Sequence, residues 1–402
     1  MDINKSSKRI VLFGAGKIGR SFIGQLFSAG GYQVVFADID QNLVNELNRL
    51  HAYNVIIKDD PEKIIEVSNV KAVHLSEEDT LLKELDDVSI AAVSVGQKGM
   101  PGVIKILARS LQRRQLNQSG VPLDLIIAEN MRDSDIFIRE ELIKLLPENF
   151  PLEKSIGLIE TSIGKMVPII SHEQITNDPL AVYAEAYNTL ILSKKNFLNP
   201  IPSIPQLAPK DNIKAWVDRK LFIHNFGHAA LAYLSAIKNP EYIYTWQALA
   251  DIELHEEVYE TMKESAVILQ SVYPEEFTLE QLDLHIQDLL KRFANKSLGD
   301  TIYRVGCDLT RKLSPEDRIV PLLLIAGSKN LPHQRIIKAL LAGILFPAID
   351  AQGNMIESDR LFIEHYNRNA EKILRDHCKI DILLDKSIYR EAAKMLPLLR
   401  KN

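Results

Sequence analysis

The stretch Arg9-Ile-Val-Leu-Phe-Gly14-Ala-Gly16-Lys-Ile-Gly19 decides the fold of the amino-terminal half. Its apolar and β-branched residues predict a buried strand, and a helical pattern opens directly after the last glycine. In this strand–turn–helix context Gly14 permits a tight turn, Gly16 lets a ligand approach the backbone and Gly19 lets the helix pack closely. The turn therefore predicts an anion-binding site at a helix amino terminus, although the same glycines would also suit a turn that only packs.

Asp38 follows Gly19 by nineteen residues and ends the second predicted strand. A carboxylate at that place accepts hydrogen bonds from a ribose 2′-hydroxyl and repels a 2′-phosphate, and Asp40 adds to the repulsion. The expected cofactor is therefore NAD rather than NADP. Gly96, just after another predicted strand, would give the cofactor a second close approach to the backbone, or serve as an ordinary turn glycine. The residues predicted to bind NAD are Asp38, Gly96 and the turn residues Gly14, Ala15, Gly16, Lys17, Ile18 and Gly19.

Two different patterns divide the chain. Up to about residue 195 short apolar runs predict strands, which alternate with helical patterns over the first 130 residues and favour a parallel, doubly wound sheet. Beyond the proline-rich segment Asn196–Lys210 the pattern is almost wholly helical. The predicted architecture is α/β, with a Rossmann-type NAD-binding domain over residues 1–205 and an all-helical substrate and catalytic domain over residues 206–402. The predicted strands are Arg9–Phe13, Gln33–Ala37, Val88–Val95, Asp124–Ala128, Ser155–Glu160 and Ala181–Leu192, and the predicted helices begin at Asn212, Glu253, Leu279, Asp317, Gln334, Ser358 and Lys386.

Composition excludes several classes of protein. A formal net charge of −5 over 402 residues offers no general attraction to nucleic acid or to anionic lipid. Two cysteines, Cys307 and Cys378, cannot build a disulfide framework or a cysteine zinc site, which suits a reducing compartment. The first residues lack the pattern of a signal peptide, and the apolar stretches are shorter than a membrane helix requires. We expect a cytoplasmic protein that acts on a small molecule, with no nucleic-acid or membrane partner.

The helix predicted from Asn212 carries the residues best suited to nicotinamide chemistry. Oxidation of an alcohol needs a base for the hydroxyl proton and donors that hold the alkoxide, and either zinc or a lysine can serve. The ten histidines show no zinc-binding spacing, which favours a lysine and no metal. At about 100° per residue, Lys220, His224, Asn225 and His228 share one arc of the helix, and mostly apolar residues fill the rest. We expect the polar arc to face a cleft, with a water-facing stripe as the alternative.

Asn130 closes the apolar run that starts at Leu123. This position is the carboxyl end of a parallel strand, where doubly wound sheets bind their ligands. Asn130 is therefore a candidate to face the reactive end of the cofactor, although an asparagine in a loop can equally be a turn residue.

Several segments, taken in order, resemble the mannitol-1-phosphate 5-dehydrogenases among the polyol-specific long-chain dehydrogenases. The resemblance spans roughly residues 9 to 345, and the spacing Lys-x4-Asn-x2-His is its most diagnostic part. The segments are Phe13-Gly-Ala-Gly-Lys-Ile-Gly-Arg20, Phe36-Ala-Asp38, Ala128-Glu-Asn-Met131, Thr176-Asn-Asp-Pro-Leu180, Arg219-Lys-Leu-Phe222 with Asn225 and Gly227-His-Ala229, Arg304-Val-Gly306, Arg311-Lys-Leu313 and Leu331-Pro-His333.

The resemblance assigns roles without a metal. It implies that Lys220 is the general base, that Asn130 and Asn225 form the oxyanion hole and that His228 holds the substrate. It also implies a site in the cleft between the domains and a monomer or weak homo-oligomer. The basic residues predicted to contact the substrate are Lys165, Arg304 and His333, with Arg311, Lys312, Arg318 and Arg335 as further candidates for a phosphate.

The sequence departs from the family pattern on the substrate side. Ile163-Gly164-Lys165-Met166 stands where relatives carry a Val-Asp-Arg-Ile-type motif, so a substrate-side aspartate is absent, and Cys307 with Asp308 follows where a basic residue is usual. The favoured reaction is the NAD-dependent interconversion of mannitol 1-phosphate and fructose 6-phosphate. The alternatives are a hexuronate reductase, acting on fructuronate or tagaturonate, and a catalytically silent NAD-binding sensor.

Overall fold

The computed structural model describes residues 8–59, 61–118, 120–168, 178–383 and 385–400. The chain forms two compact units, Met1–Val217 and Asp218–Asn402. Thr176 and Asn177, which belong to one segment of the family resemblance, lie outside the described residues. Across the described ranges, no helix combines the length and the hydropathy needed to cross a membrane.

The first unit is built on an eight-stranded sheet in the order β11-β10-β8-β7-β6-β1-β2-β5. The six strands from β8 to β5 in this order run parallel, and β10 pairs antiparallel with β8. The order β5-β2-β1-β6-β7-β8 is that of a dinucleotide-binding sheet with two mononucleotide-binding halves that meet between β1 and β6. The strands are β1 Arg9–Phe13, β2 Gln33–Asp38, β3 Ala52–Ile57, β4 Lys63–Ser68, β5 Val70–His74, β6 Ile90–Val93, β7 Leu123–Ile127, β8 Ile156–Ser162, β9 Val182–Ala184, β10 Leu190–Ser193 and β11 Leu207–Lys210.

Alternation along β1 explains why both faces of the sheet are covered. Ile10 and Leu12 belong to one apolar cluster, whereas Val11 and Phe13 belong to another. Successive side chains of a strand point to opposite faces, so one buried strand feeds two cores. The predicted doubly wound fold is confirmed. The helical segments of this unit are Gly19–Gly24, a π-helix continued by Gln25–Ala29, then Gln41–Leu50, Glu78–Asp86, Met100–Leu116, Ser134–Leu145 and Leu152–Ser155.

A second, three-stranded sheet of order β4-β3-β9 was not predicted. The prediction of one strand over Ala181–Leu192 is wrong, because this run forms β9 in the small sheet and β10 in the large one. Glu185 ends β9 by bonding away from the sheet: its N–H donates to the Met166 carbonyl at 3.2 Å, and its carboxylate accepts from the Met166 N–H at 2.5 Å. Strand β11 also extends the first unit beyond the predicted boundary at residue 205, since it pairs with β10.

The regular structure in the described residues of the second unit is helical, as predicted, apart from an isolated β-bridge between Tyr244 and Thr301. The helices expected from Leu279, Gln334 and Lys386 begin at those residues. Ile213–Arg219 leads into this unit, whose helical segments are Lys220–Asn225 (a π-helix), Phe226–Lys238, Thr245–Ala250, Ile252–Val272, Leu279–Phe293, Lys296–Leu298, Ile302–Gly306, Leu309–Lys312, Val320–Lys329, Gln334–Leu345, Glu357–Tyr366, Ala370–Lys372, Ile373–His377 and Lys386–Leu399.

Asp124 fixes the proline-rich segment against the sheet of the first unit. It is buried at the start of β7, and its carboxylate accepts hydrogen bonds from the backbone N–H groups of Leu198 at 2.8 Å and Asn199 at 3.0 Å. The Asn199 side-chain amide donates to the same carboxylate at 2.9 Å. One carboxylate therefore satisfies three donors from a segment with little regular structure.

We expect Asp124→Ala to lower the free energy of unfolding by about 3 kcal/mol, because half-buried donors would lose their acceptor. Urea denaturation followed by circular dichroism measures the change. Asp211→Ala is the matched control, since the exposed Asp211 forms a surface ion pair with Lys194, worth less than about 1 kcal/mol. Equal stability of the two variants would contradict this role of Asp124.

Candidate active site

The glycine turn after β1 has the geometry that the sequence predicts. Gly14 adopts a φ of +94°, and a Cβ there would collide with the Ser94 carbonyl. A Cβ on Gly19 would collide with the Gly14 carbonyl, so close packing of helix and turn requires glycine. At Gly16 a Cβ would meet nothing within 4 Å, and the backbone is open where the helix begins. This opening fits the pyrophosphate of a dinucleotide.

Asp38 lies against the same turn. One carboxylate oxygen accepts the Ala15 N–H at 2.6 Å, and the other accepts the Asp40 N–H at 3.0 Å. These bonds hold a half-buried carboxylate beside the turn at the end of β2. The position of the Asp38 carboxylate suits a hydrogen bond from a ribose 2′-hydroxyl and is unfavourable for the 2′-phosphate of NADP.

Arg20 is a structural part of the turn to which sequence reasoning gave no role. The side chain is buried, and its Nε donates to the Ala15 carbonyl at 2.7 Å. Its guanidinium also donates to the Leu180 carbonyl, and the Tyr53 hydroxyl donates to the Arg20 carbonyl at 2.7 Å. Burial lowers the pKa of Arg20. Of the other predicted turn residues, Lys17 is exposed and Ile18 packs against the first apolar cluster.

Gly96 forms the corresponding turn after β6. Its φ is +73°, and its N–H donates to Glu129 Oε1 at 2.7 Å. The Val95 N–H donates to the same oxygen at 2.7 Å. Burial raises the pKa of Glu129. Gly96, in the left-handed conformation, is thus fixed by the carboxylate of Glu129, which lies just beyond the neighbouring strand β7.

Asn130 follows Glu129 and is exposed. Three residues further on, the Asp133 N–H donates to Glu160 Oε1 at 2.9 Å. Glu160 is buried in β8, and burial together with the nearby Asp135 raises its pKa to about 7. A carboxylate–backbone hydrogen bond therefore fixes the loop on each side of Asn130. On one side Glu129 bonds to the turn after β6, and on the other the Asp133 N–H bonds to Glu160.

Lys220 is half-buried at the start of the π-helix in the second unit. Burial and the positive charge of Arg318 lower the pKa of Lys220 to about 7, partly offset by Asp317. Arg318 is itself buried and donates to the Asn225 carbonyl at 3.1 Å. A lysine with such a pKa is substantially neutral at physiological pH, as a general base must be.

His228 lies about two helical turns beyond Lys220, with its ring stacked on Phe293 at 4.4 Å between centroids. Its Nε2 is 3.5 Å from Asp300, and burial holds the pKa of His228 well below its usual value. The ring is therefore neutral, and the contact with Asp300 is not an ion pair.

The ring of His224 lies beside that of His228, with 6.4 Å between their centroids, and whether this arc of the helix faces a cleft stays a prediction. His224 is buried, 5.5 Å from the Phe293 ring centroid. Both histidine rings contact Phe293, so the two side chains lie on the same side of the helical segment.

The three basic residues predicted to contact the substrate all have partners of their own. Lys165 is 6% exposed, and its ammonium donates to the Asn188 side chain at 2.9 Å. Arg304 pairs with Asp300, and His333 is buried with Nδ1 2.7 Å from the Leu331 carbonyl.

Among the further phosphate candidates, Lys312 and Arg318 are buried rather than solvated. The Lys312 ammonium donates to the carbonyls of Val305 at 2.6 Å and Cys307 at 2.5 Å. Burial and the nearby Arg318 lower the pKa of Lys312 to about 8. In the part of the chain that the structure describes, no group of three or more His, Cys, Asp or Glu side chains is arranged to hold a metal ion.

Known proteins resemble both units. The family model for the mannitol dehydrogenase Rossmann domain matches residues 8–206, and that for the mannitol dehydrogenase C-terminal domain matches residues 212–394. The Pseudomonas fluorescens mannitol 2-dehydrogenase ternary complex with NAD and D-mannitol superposes with a TM-score of 0.74 at 14% identity, covering 100% of this chain and 93% of that one. D-sorbitol dehydrogenase in substrate-free form superposes with a TM-score of 0.78 at 15% identity, covering 97% and 93%. These structures show a shared fold.

The two family models together match nearly the whole chain, each over one of the two kinds of domain found here. The protein belongs to the mannitol dehydrogenase family.

Proposed function

We propose that this protein is an NAD-dependent oxidoreductase that interconverts a linear, phosphorylated polyol and its ketose, with mannitol 1-phosphate and fructose 6-phosphate as the favoured pair. The observation that carries the proposal is the half-buried Lys220, with a pKa of about 7, on the helix that also bears Asn225 and His228. Family membership supports polyol chemistry, and the similar mannitol 2-dehydrogenase structure contains NAD and D-mannitol.

Lys220 acts as the general base, with no metal required. Its neutral amine accepts the proton of the substrate hydroxyl, and the side-chain amides of Asn130 and Asn225 donate hydrogen bonds to the alkoxide. Bound NAD supplies the acceptor for the hydride. The neutral His228 ring binds a further substrate hydroxyl, while the stacked Phe293 ring holds it in place.

A panel of substrates tests this proposal and separates it from its alternatives. NADH absorbance should report turnover of mannitol 1-phosphate above that of neutral mannitol or sorbitol. Faster turnover of fructuronate or tagaturonate would indicate a hexuronate reductase, and cofactor binding without any turnover would indicate a sensor.

The rate of alcohol oxidation should depend on pH through Lys220. Below pH 7 the lysine is mainly protonated, so kcat/KM for oxidation should rise with pH through an inflection near pH 7 and level off about one pH unit higher. An inflection near the ordinary lysine pKa of about 10.4 would contradict the neutral-lysine assignment. The profile is measured with mannitol 1-phosphate and saturating NAD.

Replacement of Lys220 should remove most turnover and retain NAD binding. Lys220→Arg is the sharper variant, because arginine keeps the positive charge but does not give up its proton in proteins. We expect at least a hundredfold loss of kcat on the scale typical of general-base removal. Lys238→Ala, at the end of the next helical segment and paired with Glu253, is the control and should keep full activity. Full activity of Lys220→Arg would refute the role of Lys220, and loss of wild-type activity in EDTA would show that a metal takes part.

Asp38 should make NAD preferred over NADP by at least about tenfold, the size expected for one charge-assisted hydrogen bond. Asp38→Ala should narrow this preference, because it removes both the ribose acceptor and the charge that repels a 2′-phosphate. The ratio of kcat/KM for the two cofactors measures the effect. Better use of NADP than NAD by the wild type would overturn the cofactor assignment.

Gly164→Asp should raise kcat/KM for mannitol 1-phosphate by about tenfold, because the aspartate restores an acceptor for substrate hydroxyls. The position can take a side chain, since a Cβ would touch the Tyr187 ring at an ordinary 3.4 Å. Gly164→Ala is the matched control, as it adds the Cβ without the carboxylate. An equal response of both variants would show that another residue already supplies the contact.

A further inference from the structure

The two halves of the large sheet repeat one arrangement of carboxylate and turn. In the first half, Asp38 at the end of β2 accepts the N–H of Ala15 from the turn after β1. In the second half, Glu129 just beyond β7 accepts the N–H groups of Val95 and Gly96 from the turn after β6. Strands β1 and β2 are neighbours, as are β6 and β7. Each half thus places a carboxylate from its second strand on the turn that follows its first strand.

Each turn also contains a glycine with positive φ. Gly14 has a φ of +94° and Gly96 a φ of +73°, and a Cβ on Gly96 would meet nothing within 4 Å. The backbone beside Glu129 is therefore as open as the backbone at Gly16 beside Asp38.

The two oxygens of Glu129 differ in their contacts. Oε1 accepts both backbone N–H groups at 2.7 Å. Oε2 accepts no hydrogen bond from a described residue and is not among the buried polar atoms without a partner. One oxygen fixes the turn, and the other is left for a hydroxyl donor from a ligand.

We propose that Glu129 is a cofactor-binding residue, whose Oε2 accepts a hydrogen bond from a hydroxyl of the second, nicotinamide-side ribose, as Asp38 is proposed to do for the adenosine ribose. The inference deepens the proposed function and rests on it. It follows from the halves of the sheet, each of which binds one mononucleotide at the carboxyl ends of its strands.

Binding of cofactor fragments to the full chain tests this assignment without turnover. ADP contains only the adenosine ribose, whereas ADP-ribose also contains the second ribose. Glu129→Gln keeps a carbonyl oxygen for the two N–H groups but replaces the second acceptor with a donor. Calorimetry should show about tenfold weaker binding of ADP-ribose to Glu129→Gln and unchanged binding of ADP, which also reports that the variant is folded.

Two further variants distinguish the loss of this one hydrogen bond from general effects of a substitution on ligand binding. Asp38→Ala should weaken ADP and ADP-ribose alike, because both contain the adenosine ribose. Glu141→Gln changes a carboxylate on the helix Ser134–Leu145, where Glu141 pairs with Lys144, and should leave the binding of both ligands unaffected.

A ligand-side test holds even if substitutions at Glu129 prevent folding. Analogues of ADP-ribose that lack the 2′- or the 3′-hydroxyl of the second ribose should include one that binds the wild type about tenfold more weakly. Unchanged affinity of both analogues, or equal loss of ADP and ADP-ribose binding in Glu129→Gln, would overturn the inference while leaving the proposed function intact. Failure of the wild type to bind either ADP or ADP-ribose would instead overturn the proposed function itself.

Discussion

Backbone N–H groups at the carboxyl edge of the parallel sheet need acceptors, and carboxylates of neighbouring strands supply them. Asp38 holds the turn after β1, Glu129 holds the turn after β6 and Glu160 holds the loop after β7. An N–H that is partly removed from water and lacks an acceptor is costly, so each carboxylate stabilises the position of its loop. The shape of the proposed cofactor site depends on these bonds, because the same loops carry the glycines and Asn130.

Such bonds explain why acidic side chains are tolerated in buried positions here. Glu160 is 2% exposed and has a pKa of about 7, so burial makes its charged form expensive. The backbone donors recover part of that cost and fix the direction of the carboxylate. Burial of the Glu160 carboxylate lowers the stability of the fold, but its hydrogen bond to the Asp133 N–H fixes the loop that carries Asn130.

The local patterns of the sequence predicted a large part of the structure. The positions of Gly14 and Gly19 follow from sterics within a few residues, and helix starts such as Leu279 and Gln334 follow from periodicity. Pairing between distant residues was not predictable in the same way. The bond from Gly96 to Glu129 spans 33 residues, and the division of Ala181–Leu192 between two sheets depends on contacts of Glu185 with Met166. Composition and spacing carry no signal for either.

In the candidate site, too, local spacing could be predicted from the sequence but burial and distant contacts could not. The spacing of Lys220, Asn225 and His228 is visible in the sequence, whereas the π-helical turn and the burial of His224 became visible only in the fold. Glu129 and Arg20 belong to segments that carry the family resemblance, but the backbone groups to which they bond became visible only in the fold.

The positive charges near Lys220 affect both the pKa of the proposed base and the binding of the proposed anionic substrate. Arg318 and Arg311 lower the pKa of Lys220, and Asp317 opposes them. Positive charges that keep a lysine neutral also attract an anionic substrate. A bound phosphate would in turn offset part of their effect and raise the pKa of Lys220, so burial must supply most of the lowering if the base is to stay neutral during turnover. Desolvation is the largest cause of the lowered pKa of Lys220, which fits this requirement.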